Sequence, residues 1–126
     1  MKPPRGILVV GNAVFDLLVR PVDRLAWGAT TWVETIRQRL GGNGANTSYT
    51  LAKLRAPVRL LTWLGNDLPG RYLFETLAAV GVDMRWVRPS AALTAATVAL
   101  VASSGDRLFL HYPGASVEAL QSAIEF

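Results

Sequence analysis

Three glycines fall within four positions at Gly41-Gly42-Asn43-Gly44, where a β-prone stretch gives way to a helical one, and no other segment constrains the fold as strongly. Consecutive glycines open backbone conformations that other residues avoid and let a ligand approach the main chain. The loop runs on as Ala45-Asn46-Thr47-Ser48, and the Asn46 amide can both donate and accept hydrogen bonds. Such a loop suits a ligand rich in hydroxyl groups.

The flanking segments set this loop in an α/β order. Ile7-Leu8-Val9-Val10 is a short apolar run ending at Gly11-Asn12, the pattern of a central parallel strand buried on both faces. Val14 to Arg20 and Thr31 to Arg39 read as antiparallel strands with one wet face, since Trp32, Ile36 and Leu40 are interleaved with Glu34, Arg37, Gln38 and Arg39. The linker Pro21 to Gly28 carries Leu25 and Trp27, which are expected to pack. Asn43 to Leu54 reads as a helix with Ala45, Tyr49, Leu51 and Ala52 on its apolar side; Pro57 marks its end, and Val58 to Leu64 follows as a buried strand. Asn66 or Asp67 can cap the next helix, Pro69 sits in its first turn, Leu73, Leu77 and Val80 recur at helical spacing, and Gly81 is the stop. Trp86-Val87 reads as a short strand, and Thr94 to Ala102 with Arg107 to Tyr112 as a hairpin turned at Ser103-Ser104-Gly105-Asp106. Ser116 caps a final helix beginning Val117-Glu118-Ala119-Leu120.

This order predicts a parallel α/β sheet with helices and a small antiparallel sheet projecting from it. No strand follows the last helix, so the fold is expected to be incomplete, with a sheet edge left open.

At 126 residues, 51% of them hydrophobic, the chain is long enough for one domain with a real core. Its formal charge is +4, but the eleven arginines are scattered, which is not the clustered footprint of a nucleic-acid surface. The lack of cysteine excludes a disulfide framework and a Cys-containing zinc site, and fits a reducing compartment such as the cytoplasm. The apolar run after Met1-Lys2-Pro3-Pro4-Arg5 is broken by Gly11-Asn12 and Asp16 before it reaches signal-peptide length. No window approaches the roughly 18 apolar residues of a membrane span.

The spacing Gly-Gly-x-Gly-x-Asn-x-Ser at 41 to 48, with Gly65 downstream and Asn12-Ala13-x-x-Asp16 upstream, resembles the N-terminal portion of the ribokinase/PfkB family of carbohydrate kinases. The resemblance covers about residues 6 to 118. It implies ATP-dependent phosphoryl transfer to a hydroxyl of a sugar or nucleoside. Asp16 matches the family's acid that binds two sugar hydroxyls, a role that suits a carboxylate because charge-assisted hydrogen bonds are strong. Gly42 and Asn46 carry over as substrate contacts, with Gly41 and Asn43 beside them, and Asn12 matches a position next to the first strand that faces the sugar. Without the resemblance, Asp16 reads as an ordinary acidic loop residue and Asn46 as a helix-cap residue.

Residues of about 14–40 and 94–112 match the family's lid. Thr97, Ala99 and Phe109 on the hairpin then close over the ligand, or simply pack within the sheet. His111 has no carboxylate or thiol partner in sequence and reads as structural. Pro113-Gly114-Ala115 resembles the family's Pro-Gly-Ala-Asn turn. Two positions depart from the pattern. Arg55 stands where the family carries Gly or Ser, which costs about 1 kcal/mol if the backbone there needs a positive φ. Asn43 stands where ribokinases often carry Lys, which argues against ribose itself.

The resemblance also implies a catalytic Asp in a Gly-Ala-Gly-Asp motif, with ATP and magnesium beside it, and nothing in the chain matches that motif. Gly105-Asp106 belongs to a hairpin turn. The glycine loop lacks the Lys of a phosphate-binding loop and has Thr47 where a dinucleotide fingerprint needs its third glycine. The chain is therefore expected to carry the acceptor half of a kinase without the ATP-binding half, to bind ATP and magnesium poorly, and to be inactive alone. The alternative is a non-catalytic carbohydrate-binding module, or a homodimer formed through lid strands whose edges lie near Trp27 and Trp32.

Overall fold

The computed structural model describes residues 5–121 and 124. Eight strands and two α-helices follow in the order β1 (Ile7–Val10), β2 (Val14–Arg20), β3 (Thr35–Gly41), α1 (Asn43–Lys53), β4 (Val58–Leu61), β5 (Trp63–Gly65), α2 (Leu68–Ala79), β6 (Arg88–Ser90), β7 (Ala96–Val101) and β8 (Arg107–Tyr112). A 3₁₀ helix, Gly114–Leu120, closes the described chain.

The inner layer is parallel. β1 pairs with β4 from Ile7 opposite Val58 to Val10 opposite Leu61, and β5 pairs with β6. The expected single strand over 58–64 is interrupted at Thr62, which accepts the Arg88 N–H through its main-chain oxygen at 2.8 Å. The strand that is buried on both faces is β4 rather than β1. Leu60 packs with Leu64, Leu73, Leu77 and Met84 on one side, while Leu61 packs with Trp63 and Ala115 on the other. β1 pairs only with β4 among the described residues, and this leaves Ile7 and Val10 nearly half exposed.

The outer sheet has four strands in the order β3-β2-β7-β8. It is mixed rather than purely antiparallel, because β2 and β7 at its centre run parallel. Its hairpin turns at Gly105, where φ is 93°. The segment between β2 and β3 does not pack as expected: Leu25 is exposed and Trp27 fully so, since it runs out beyond the end of the sheet. The strand expected at Trp86-Val87 forms at Arg88 instead. A turn closed by the Val87 N–H to the Met84 carbonyl carries Trp86 against the second core cluster first. Ser116 lies inside the 3₁₀ helix instead of capping an α-helix; its N–H reaches the Pro113 carbonyl, and its buried hydroxyl has no partner among the described residues. Most of the expected continuation of that helix past Gln121 lies outside the described residues.

One polar knot fastens the outer sheet to the inner layer. Asp67 caps α2 by accepting the Gly70 N–H at 2.9 Å, and it also accepts the Thr94 hydroxyl at 2.6 Å and the Thr94 N–H at 2.8 Å. The Thr94 hydroxyl in turn accepts the Gly65 N–H at 2.9 Å. Glycine is required at 65 because a Cβ would sit 2.5 Å from the Ala92 carbonyl oxygen and 2.7 Å from the Thr94 nitrogen. Burial works against ionisation of Asp67, but the hydrogen bonds from Thr94 and Gly70 outweigh it and bring the carboxyl below its ordinary value.

Candidate functional site

β3 ends at Gly41 and α1 begins at Asn43, so the change of direction falls on Gly42, at φ 85° and ψ 146°. That conformation belongs to glycine. A Cβ on Gly42 would also run into the Asn12 carbonyl oxygen. Two hydrogen bonds hold the two loops this close. The Ala45 N–H donates to the Asn12 carbonyl at 3.1 Å, and the Asn12 N–H donates to Asn43 Oδ1 at 3.0 Å. The same oxygen takes the Gly44 N–H at 2.7 Å. Asn43 thus spends its carbonyl oxygen on the fold, which leaves its NH₂ for a ligand.

Asn12 and Asn46 flank this junction with exposed side chains that make no hydrogen bond among the described residues. The structure therefore brings Asn12, Gly41, Gly42, Asn43 and Asn46 together in one open surface where β1 and β3 meet α1. Asn46 is not the cap of α1, because Gly42 holds that position.

Asp16 joins this group from β2. Its carboxyl lies directly over Gly41, so close that a Cβ on Gly41 would collide with it. In the sheet it stands opposite Arg39 on β3 and Thr97 on β7, and Thr97 stands opposite His111 on β8. Paired residues share a face. The face carrying Asp16 therefore also carries Thr97, Ala99, Phe109 and His111, the residues expected to close over a ligand together with the one read as structural. Burial raises the Asp16 carboxyl above its ordinary value, and the Thr97 hydrogen bond and the nearby His111 ring restrain that rise. A cleft lined by Phe15, Leu17, Pro69 and Tyr72 opens on the opposite face of the sheet.

The Thr97–His111 contact was not anticipated from the sequence. Thr97 Oγ1 lies 2.9 Å from His111 Nδ1. Counting outward from the turn read at 103–106 would have set Thr97 against Tyr112; the turn takes only residues 103–105, with Ala102 bonded to Asp106, and this shifts the register by one and sets Thr97 against His111. Their link to Asp16 depends on the pairing of β2 with β7, which no local pattern announces.

Among the described residues, no group of three or more His, Cys, Asp or Glu is placed to hold a metal ion. No helix there is long and apolar enough to cross a membrane.

Known proteins share this fold. The chain is similar to ribokinase of Bacillus subtilis, with 30% identity over 112 residues, which are 89% of this chain and 38% of that protein. It is similar to aminoimidazole riboside kinase of Salmonella typhimurium, with 33% identity over 118 residues, 91% of this chain and 34% of that protein. Among solved structures, Arabidopsis thaliana ribokinase complexed with ribose and ATP superposes with a TM-score of 0.81 at 30% identity, covering 87% of this chain and 36% of that one. The chain spans little more than a third of the length of these relatives. A family model described as pfkB family carbohydrate kinase matches residues 5–125, and the chain belongs to that family, with a ribokinase-like α/β fold.

Proposed function

We propose that this chain supplies the acceptor-binding part of an ATP-dependent sugar or nucleoside kinase. The observation that carries the reading is the meeting of Asp16, from one sheet, with the Gly41–Asn46 loop. A carboxylate that can accept from neighbouring hydroxyls faces exposed amides that can both donate and accept. In this reading Asp16, Asn12 and Asn46 bind the acceptor's hydroxyls, the Asn43 NH₂ and the Gly41–Gly42 main chain complete the cradle, and Thr97, Ala99 and Phe109 cover it.

The task of these residues is positioning, which lowers the barrier by holding the acceptor hydroxyl for in-line attack. ATP with magnesium supplies the phosphoryl group in such a reaction. The residues described here offer no cluster to hold the metal, so no step of the transfer is assigned to them. By itself the chain then binds an acceptor without phosphorylating it.

The test is a panel of sugars and nucleosides. Binding is read from amide shifts at Gly42 and Asn46, and ADP release is assayed with magnesium and ATP. Binding that disappears in Asp16→Asn, without ADP release, supports the reading. Unchanged affinity in that variant overturns the role of Asp16, and turnover overturns the placing of the catalytic base outside this chain.

A second reading, a homodimer through the four-stranded sheet, is favoured by the face turned away from Asp16. There Ile36, Leu108, Leu110 and Tyr112 are exposed, and Gln38 is the one polar residue among the paired positions. A solution mass of one chain at tens of micromolar would remove it.

A further inference from the structure

We infer that the acceptor of this site is a sugar that already carries a phosphate group, which Arg37 and Arg39 on β3 hold while Asp16 takes the sugar's hydroxyls. This names the substrate class for the acceptor-binding reading of Asp16 and rests on that reading.

The sheet collects charges that lie scattered along the chain. At the paired positions of the four-stranded sheet the charged side chains are Asp16, Arg20, Arg37, Arg39 and Arg107. Alternation along the strands sets all of them on one face, the face that also carries His111, and none on the other. A face that is merely wet mixes acidic and basic residues. This one sets four exposed arginines against one partly buried acid. The ion pair formed among the described residues joins Arg85 to Asp83, away from this sheet, and none of the four arginines makes one.

Asp16 and Arg39 stand directly opposite each other on neighbouring strands, where opposite charges stabilise a sheet by closing on one another. Among the described residues they form no ion pair. The carboxylate therefore keeps acceptor sites for hydroxyls, and the guanidinium keeps its donors. Arg37 lies two residues along on the same face, about 7 Å from Arg39 by strand geometry. A ligand whose hydroxyls reach Asp16 thus has two guanidinium groups beside it along β3. Two positive forks match the charge of nearly two and the three acceptor oxygens of a phosphate monoester. A neutral sugar would leave both arginines unanswered. β3 is also an edge strand, and arginine on an edge discourages pairing with another chain. That role alone gives no preference for a phosphorylated ligand, so binding separates the two.

The test measures Kd by titration calorimetry for D-fructose 6-phosphate and D-ribose 5-phosphate, each against its unphosphorylated parent, and for inorganic phosphate. At least one ester should bind about tenfold or more tighter than both its parent and inorganic phosphate, the gain expected of added hydrogen bonds to a charged group. The ratio of ester to parent affinity should fall toward one in the double variant Arg37→Gln with Arg39→Gln. It should hold in Arg24→Gln, which removes a positive charge outside the paired strands. Equal affinity for ester and parent, or a ratio that survives the double variant, overturns the inference. Inorganic phosphate that binds as tightly as the ester also overturns it, because the arginines are then an anion patch apart from the acceptor site. Amide spectra establish that the variants fold. Should the double variant self-associate, Arg37→Lys with Arg39→Lys keeps the edge charged but lacks the planar fork, and an unchanged ratio there overturns the inference as well.

Asp16→Asn separates the phosphate from the reading beneath it. Ester and parent should both weaken in that variant. If they bind equally in the wild type and both depend on Asp16, the acceptor site stands and its phosphate preference falls. If neither binds, or neither depends on Asp16, both fall together.

Discussion

Two strand-to-helix junctions in this chain use glycine in the same way and polar groups in opposite ways. At the first, β3 enters α1 through Gly41-Gly42; at the second, β5 enters α2 through Gly65-Asn66-Asp67. α2 has a side-chain cap, and both carboxylate oxygens of Asp67 are engaged by Thr94 or Gly70. α1 has glycine at its cap and no side-chain cap, and the amides of Asn12 and Asn46 beside it point to no protein partner among the described residues. Hydrogen bonds closed within the protein stabilise it, whereas groups left open can serve a ligand at little cost to the fold. The Gly65 junction closes its polar groups on one another, and the Gly42 junction leaves the amides of Asn12 and Asn46 open.

The comparison predicts a graded series. The largest effect is expected from Gly65→Ala, because the new Cβ meets main chain at 2.5 and 2.7 Å rather than a side chain that can swing away. A loss of about 3 kcal/mol or more, measured by urea unfolding, is expected. Little change would mean that the fastening is slack. Asp67→Ala should cost about 2 kcal/mol through the lost cap and the lost Thr94 bonds. That difference depends on pH with a definite sign. The native Asp67 carboxyl sits below its ordinary 3.8, so its contribution is complete above that value and disappears as pH falls through the lowered native pKa. Stability curves of wild type and Asp67→Ala should therefore converge in acid, and parallel curves would contradict the assignment.

A smaller change of opposite sign is expected at the far end of α1. Arg55 has φ 62°, so Arg55→Gly should stabilise the chain by up to about 1 kcal/mol in thermal unfolding. Asn46→Ala should be smallest of all, within about 0.5 kcal/mol of wild type, since its exposed side chain has no partner to lose. It should nonetheless weaken acceptor binding. A variant that lost stability and kept affinity would reverse the distinction between the two junctions.

Much of this was legible in the sequence, for reasons that differ from residue to residue. Asp67, Pro69 and Gly81 marked α2 because capping, first-turn proline and a glycine stop are local chemistry. The family position at Arg55, which carries Gly or Ser, raised a positive φ as a condition, and the backbone there has one, at 62°. The grouping of Asp16 with the Gly41–Asn46 loop came from the family pattern. What stayed hidden was long-range. A four-residue apolar run does not reveal how many neighbours a strand has, so β1 looked central when β4 is. Leu25 and Trp27 looked too apolar to be left outside, yet Leu25 only edges a shallow cleft beside Leu100 and Leu108 and Trp27 is fully exposed. The alignment of His111 with Asp16 was out of reach because it runs across three strands, through Thr97.

The parallel pairing of β2 with β7 also bears on the order in which the molecule assembles. Phe15 lies against Ala96, eighty-one positions along the chain, whereas β1 and β4 are joined through a shorter stretch that contains α1. Contacts that close such long loops form late, after nearer ones have reduced the entropy of closing them. In pulsed hydrogen exchange the amides of α1 and α2 should gain protection before those joining β2 to β7. Thr97 and His111 would then reach their places on the face of Asp16 among the last events of folding, and a chain arrested just short of the native state would be compact and helical, with β2 already paired to β3 but the β7–β8 hairpin not yet joined to it.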